Sequence, residues 1–189
     1  MALLLIFWRP LASNAQEQKT PWSVGVYAGK YYDTEPAGFL EGRAGFLEQY
    51  LVAVTASKPV WQSQTLPLAL EIDAMVGQQG GISSLTEIAV APTLRWSGFP
   101  WRDVLRTDVR LAPLGISYTT QVSPLERGTD GQGSRMLNWL FIETAFSLPG
   151  KNTQEVFLRL HHRCTIYDLL NNFGANGEDF FTVGVRRRF

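Results

Sequence analysis

From residue 22 onward, apolar side chains recur at every second position rather than every third or fourth. Residues 22–30 set Val24, Val26 and Ala28 against Ser23, Gly25 and Tyr27, and residues 49–58 align Tyr50, Val52 and Val54. The clearest run is 66–76, where Leu66, Leu68, Leu70, Ile72, Ala74 and Val76 form one row and Glu71 and Asp73 stand in the other. Residues 87–96 repeat the pattern with Ile88, Val90, Pro92, Leu94 and Trp96. In 104–118, Leu105, Val109 and Leu111 oppose Arg106, Asp108 and Arg110; in 138–148, Leu140, Ile142, Phe146 and Leu148 oppose Trp139, Phe141 and Glu143. Residues 155–167 and 179–189 close the series, the last with Phe181, Val183, Val185 and Phe189 in one row. Side chains of a strand alternate between faces, so each run predicts a strand with one apolar and one polar face. About eight strands and no helix follow.

The intervening segments predict a particular closure. They alternate in length: a long one after residue 30, a short break at Lys58-Pro59, a medium Gly- and Ser-rich loop at 78–84, a short turn at 97–100, a long polar segment at 119–135, a short turn at Pro149-Gly150 and a long loop at 168–177. Transmembrane β-barrels alternate short turns with longer outer loops and cross the membrane with strands of about 9–11 residues. The fold class expected is therefore all-β, an antiparallel up-and-down transmembrane β-barrel of about eight strands. The apolar row would face lipid. Glu71, Asp73, Arg106, Asp108, Arg110, Glu143, Arg159 and His161 would fill an interior too narrow for an aqueous channel and neutralise one another there. A soluble lipocalin-like barrel binding an apolar ligand is the competing architecture, with the faces reversed.

Composition narrows the chemistry. Seventeen Lys and Arg balance seventeen Asp and Glu, and apart from Arg186-Arg187-Arg188 there is no basic run, so no nucleic-acid partner is expected. The single Cys164 excludes an internal disulfide, and with only two histidines, adjacent to each other, neither metal nor cofactor is expected. The apolar run Ala2 to Trp8 and the small residues of Ser13-Asn14-Ala15 predict residues 1–15 as a signal peptide, though without its usual basic start, and 16–189 as one barrel domain. The terminal Phe189, with apolar residues at alternate positions before it, resembles the signal by which outer-membrane barrels address their assembly machinery; Arg187 departs from that pattern.

The penultimate strand, EVFLRLHHRCTIY, carries an anomaly. Val156, Leu158, Leu160, His162, Cys164 and Ile166 share the apolar row; Phe157, Arg159, His161 and Arg163 share the other. A base and a thiol thus sit at the greasy end of a lipid-facing row. By the same parity Asp179 faces lipid on the last strand, and Glu178 turns inward. Pairing Cys164 opposite Asp179, or one step away, would collect acid, base and nucleophile on one patch, the set that activates a nucleophile for acyl transfer. Singly, each has a plainer reading: Cys164 as a small apolar residue, His162 as an interfacial one, Asp179 as a strand start.

His162-Arg163-Cys164 and Asp179 resemble the lipid A 3-O-deacylase (PagL) family of outer-membrane barrels, which carries His-x-Ser on the penultimate strand and an acid at the start of the last. Residues 158–163 and 184–189 are similar to acyloxyacyl-hydrolase-like barrels. The resemblance implies a bacterial outer-membrane enzyme that removes an ester-linked acyl chain from lipid A, in lipopolysaccharide of the outer leaflet, with His162 as base, Asp179 orienting it and Cys164 in the nucleophile's place. Two residues depart from the family pattern: Cys164 replaces serine, and Thr165 stands where an asparagine serves the oxyanion. An inactive barrel of the same descent, structural or lipopolysaccharide-binding, is the alternative. Whether the barrel forms a homodimer is left open.

Overall fold

The computed structural model describes residues 21–34, 36–128, 131–150, 153–166 and 177–189. The expected signal peptide and the expected loop at 168–177, its last residue aside, lie outside these. The elements in order are β1 (Ser23–Tyr32), α1 (Pro36–Leu40), β2 (Phe46–Gln62), β3 (Leu68–Gly81), β4 (Leu85–Trp96), β5 (Arg106–Ala112), β6 (Ile116–Thr119), a short 3-10 helix (Pro124–Glu126), β7 (Met136–Ser147), β8 (Gln154–Cys164) and β9 (Glu178–Arg188). All pairings are antiparallel, and β9 returns to β1 from Ser23↔Arg188 to Tyr31↔Phe180. The sheet therefore closes on itself. β5 and β6 both pair with β4 and β7, so together they make one interrupted stave of an eight-stranded barrel.

That interruption corrects the continuous strand expected over 104–118. Pairing to β4 stops at Val90↔Ile116 and resumes at Leu94↔Leu111. The lapse falls at Pro92, which has no N–H to give, and opposite Pro113 and Gly115. A Cβ at Gly115 would come within 2.6 Å of Ala91 Cβ and 2.7 Å of the Trp139 carbonyl oxygen. Only glycine fits.

Other boundaries move outward from the sequence reading. Strand β2 is far longer than 49–58, and β3 absorbs most of the Gly- and Ser-rich stretch, leaving 82–84 as the loop. The turn after β4 spans 97–105 instead of 97–100. Among the described residues, one end of the barrel carries 63–67, 97–105 and 148–150; the other carries 36–45, 82–84, 120–128, 131–135 and 165–166.

The two faces are as the alternation predicts. Val26, Val54, Ile72, Val76, Ile88, Val90, Leu94, Ile142, Val156, Leu158, Val183 and Val185 are exposed on the outer wall. An apolar belt of this extent on a protein in water would be a standing liability; in lipid it is the proper surface. Trp22, Trp61, Trp96, Trp101 and Phe189 stand exposed toward the turn end, and Phe46, Tyr50 and Tyr118 toward the loop end. Aromatic rings collect at the two membrane interfaces in this way. The lipocalin-like alternative, which needs the apolar row inside, does not describe this molecule.

Inside, charges pair. Arg110 reaches Asp73 at 2.6 Å, Glu71 at 2.8 Å and Glu143 at 3.0 Å. Arg159 holds Glu143 at 2.6 Å, and Arg186 binds Glu143 and Glu155. Arg106 lies by a polar cleft of about 220 Å³ at the turn end, beside Arg95, Asp108 and Arg188. Above this network lies an aromatic layer of Tyr27, Trp139, Phe141, Phe157 and Phe180, with the Arg159 guanidinium 3.9 Å from the Phe141 ring centre. His161 belongs here. Its Nδ1 accepts from Trp139 Nε1 (3.2 Å) and faces the Tyr27 hydroxyl (3.3 Å), which leaves the proton on Nε2, directed at Glu87. The 3-10 helix caps the loop end, where Glu126 bonds Arg163 and Ser123 bonds Glu178.

Candidate active site on the outer wall

The site is assembled from the loop-end tips of β7, β8 and β9. Strand β8 buries Arg159, His161 and Arg163 in the interior, which forces His162 and Cys164 onto the outer wall. On β9, Glu178 points inward and Asp179 outward, as parity requires. Of the two expected pairings, the structure takes the one a step away. His162, not Cys164, stands opposite Asp179, which displaces Cys164 by two residues toward the loop. The three residues still meet, because the imidazole bridges the other two.

His162 Nδ1 lies 2.6 Å from Asp179 Oδ1. With the carboxylate accepting, Nδ1 holds the proton and Nε2 is the nitrogen left free to take one from Cys164, two residues on in the same outward row. Asp179 also accepts from the Tyr32 hydroxyl at 3.3 Å. Tyr32 is wholly buried although it faces outward, because Phe39 of α1 lies over it, ring centres 4.7 Å apart, and stacks on Phe181 at 5.0 Å. The His162 side chain is 17% exposed and that of Asp179 8%, so the pair is shielded yet reachable from the wall. Gly177 makes room: a Cβ there would stand 2.5 Å from the Arg163 carbonyl oxygen and 3.1 Å from His162 Cε1.

Cys164 is partly buried. Its partner across the β7–β8 ladder is Asn138, whose Nδ2 donates to the sulfur at 3.6 Å while its Oδ1 accepts from the Gly115 N–H at 2.9 Å. Sequence reasoning missed both Asn138 and Tyr32. Each is a polar residue at the loop end of an outward row that begins or continues apolar, Lys30 before Tyr32 aside, the same signal that singled out His162. No group of three or more His, Cys, Asp or Glu among the described residues could hold a metal ion. A shielded acid–base pair with a thiol beside it can transfer an acyl group without one.

No family model matches the chain and no curated protein matches it. Among solved structures it is similar to the outer membrane enzyme PagL, with a TM-score of 0.59 at 16% identity over 87% of this chain and 98% of that one. It is also similar to the N-terminal β-barrel domain of Pseudomonas aeruginosa OprF (TM-score 0.50, 14% identity, 90% and 98% covered) and to a de novo designed transmembrane β-barrel (TM-score 0.50, 13% identity, 90% and 96% covered). An enzyme, a natural barrel domain and a designed protein share this architecture, so the likeness speaks for the fold and leaves the chemistry to the side chains. The chain is an antiparallel eight-stranded β-barrel of the outer-membrane type, crossing the bilayer with its strands.

Proposed function

We propose that the chain is a carboxylic ester hydrolase that removes an ester-linked acyl chain from lipid A in the outer leaflet. The observation that carries this reading is the outward His162–Asp179 pair with Cys164 beside it, at the loop-end rim of the apolar belt. A hydrolytic site on the outside of a barrel is accessible to one kind of substrate, a lipid already in the membrane.

His162 takes the thiol proton through the nitrogen not bonded to Asp179, and the thiolate attacks the ester carbonyl. Collapse breaks the carbon–oxygen bond, and the departing sugar oxygen takes the proton back from His162. The acyl chain is then held as a thioester on Cys164. Water, deprotonated by His162, attacks that carbonyl, the carbon–sulfur bond breaks, the fatty acid leaves, and the thiolate takes its proton back from the imidazolium. Asp179 steadies the imidazolium formed at each step.

Mass spectrometry of lipid A from cells expressing the chain tests the reading. The native protein yields lipid A lacking one acyl chain, and Cys164→Ala and His162→Ala do not. Intact lipid A beside a correctly folded barrel overturns it. The residue in the nucleophile's place favours one second reading, a barrel that holds lipopolysaccharide without cleaving it. A Cys164→Ser variant that cleaves lipid A where the native chain does not would establish that alternative.

A further inference from the structure

Asn138 is 1% exposed although its row faces the membrane. Its amide is oriented without ambiguity. A backbone N–H can only donate, so the atom 2.9 Å from the Gly115 nitrogen is Oδ1 and the NH2 is the group turned to Cys164 Sγ. A strand break placed that donor. Between β5 and β6 the Gly115 N–H is released from the ladder to β4, and the close approach that only glycine permits brings it to Asn138.

A buried amide whose hydrogens meet only a sulfur is poorly satisfied, and such donors are costly unless used. An oxygen on an acyl carbon bonded to Cys164 would supply the missing acceptor.

The geometry points to Asn138 as the oxyanion donor of this site, its side-chain amide acting on the negative charge that develops on the carbonyl oxygen when Cys164 attacks. The assignment rests on the acyl-transfer reading above. It fills from β7 the role that the residue after the nucleophile, Thr165, does not take, and it makes the amide catalytic because it touches a reacting atom.

Acylation of Cys164 builds an oxyanion, whereas alkylation of the same sulfur does not. The full barrel, folded in detergent micelles, is therefore reacted in parallel with p-nitrophenyl laurate and with iodoacetamide, and the ratio of the two rates at Cys164 is compared between native and variant. Asn138→Asp keeps an oxygen for the Gly115 N–H and loses the donor. Asn138→Ala repeats the measurement without a carboxylate beside the thiol. Heat-modifiable gel mobility confirms that each variant is folded. The acylation-to-alkylation ratio is expected to fall by about 10²–10³-fold in both, the usual effect of deleting one oxyanion donor. A ratio that stays within twofold of native in the folded variants overturns the assignment. If the ratio falls while cellular lipid A remains intact, Asn138 holds its role and lipid A is the wrong substrate.

Discussion

Asp179 makes one hydrogen bond to His162 Nδ1 and one from Tyr32, and both depend on its being a carboxylate acceptor. Asp179→Asn offers an amide that can donate to Nδ1, inviting the wrong tautomer. It should lower kcat by roughly 10⁴-fold, as the corresponding change does in Ser-His-Asp enzymes. Steady-state kinetics on a micellar acyl ester reads this directly, and an Asn variant within threefold of native would remove Asp179 from the mechanism. The three residues were visible in the sequence because period-two parity fixes which side chains share a face, whatever the register. Register itself was not, since parity is unchanged when one strand slides by two residues. Asn138 opens the outward row of 138–148, so its face was legible too. Its orientation was not, because it hangs on the Gly115 N–H, and residues 104–118 alternate as though no break existed.

At the scale of elements, close approach and buried charge decide what can change. Gly184 on β9 lies against β8 on one side and β1 on the other: a Cβ there would be 2.3 Å from Phe157 Cζ and 2.6 Å from the Val26 carbonyl oxygen. Gly184→Ala should cost about 1–3 kcal/mol, the range for overpacking, measured by urea unfolding in lipid vesicles; a loss under a few tenths would mean that the strands part easily. The 3-10 helix presents a different constraint. Burial pushes Glu126 up to about 8, against the pull of Arg163 and with help from Glu178 and Glu87. A carboxyl raised above its ordinary range in the docked state binds a proton on docking. Docking is therefore strongest below about pH 4.5, weakens as pH rises, and reaches its weakest above about pH 8. Proteolysis or amide exchange around 120–128 should accelerate from pH 5 to pH 9, and Glu126→Gln should flatten that dependence. No sequence pattern foretold this, because the segment is short, polar and aperiodic, and only the closed barrel gives it something to plug.

For the molecule as a whole, the inside and the outside of the wall obey opposite rules. Glu143 is shared by Arg110, Arg159 and Arg186. Glu143→Leu takes one carboxylate from each of three buried cations and should cost about 3–5 kcal/mol, whereas Leu158→Arg, on the lipid face, should cost about 2–4 kcal/mol at mid-bilayer. Urea titration in vesicles compares the two on one scale, and a stable Glu143→Leu barrel would show that water reaches the network. This inversion made the architecture readable from residues such as Glu71 and Asp73, which stand opposite an unbroken apolar row. Strand ends were harder, since β2 and β3 run on past the point where polar residues such as Gln78 and Gln79 mask the alternation.

The seam between β1 and β9 has a consequence for biogenesis. Asn138, His162, Cys164 and Asp179 all come from the last three strands, and a hairpin-by-hairpin intermediate could gather them early. Tyr32 cannot join until the first strand meets the last, bringing with it Phe39, which lids Tyr32 and Phe181. On the acyl-transfer reading proposed above, an unfinished sheet would carry a site whose acid swings loose, and ester cleavage would rise in step with circularisation. The rate at which ester cleavage appears during refolding should track the rate of the heat-resistant gel form. Tyr32→Phe should hold the completed barrel at roughly two- to tenfold lower turnover, the worth of one net hydrogen bond. The barrel would thus be armed by its own closure, and a stalled intermediate would spare the membrane it is entering.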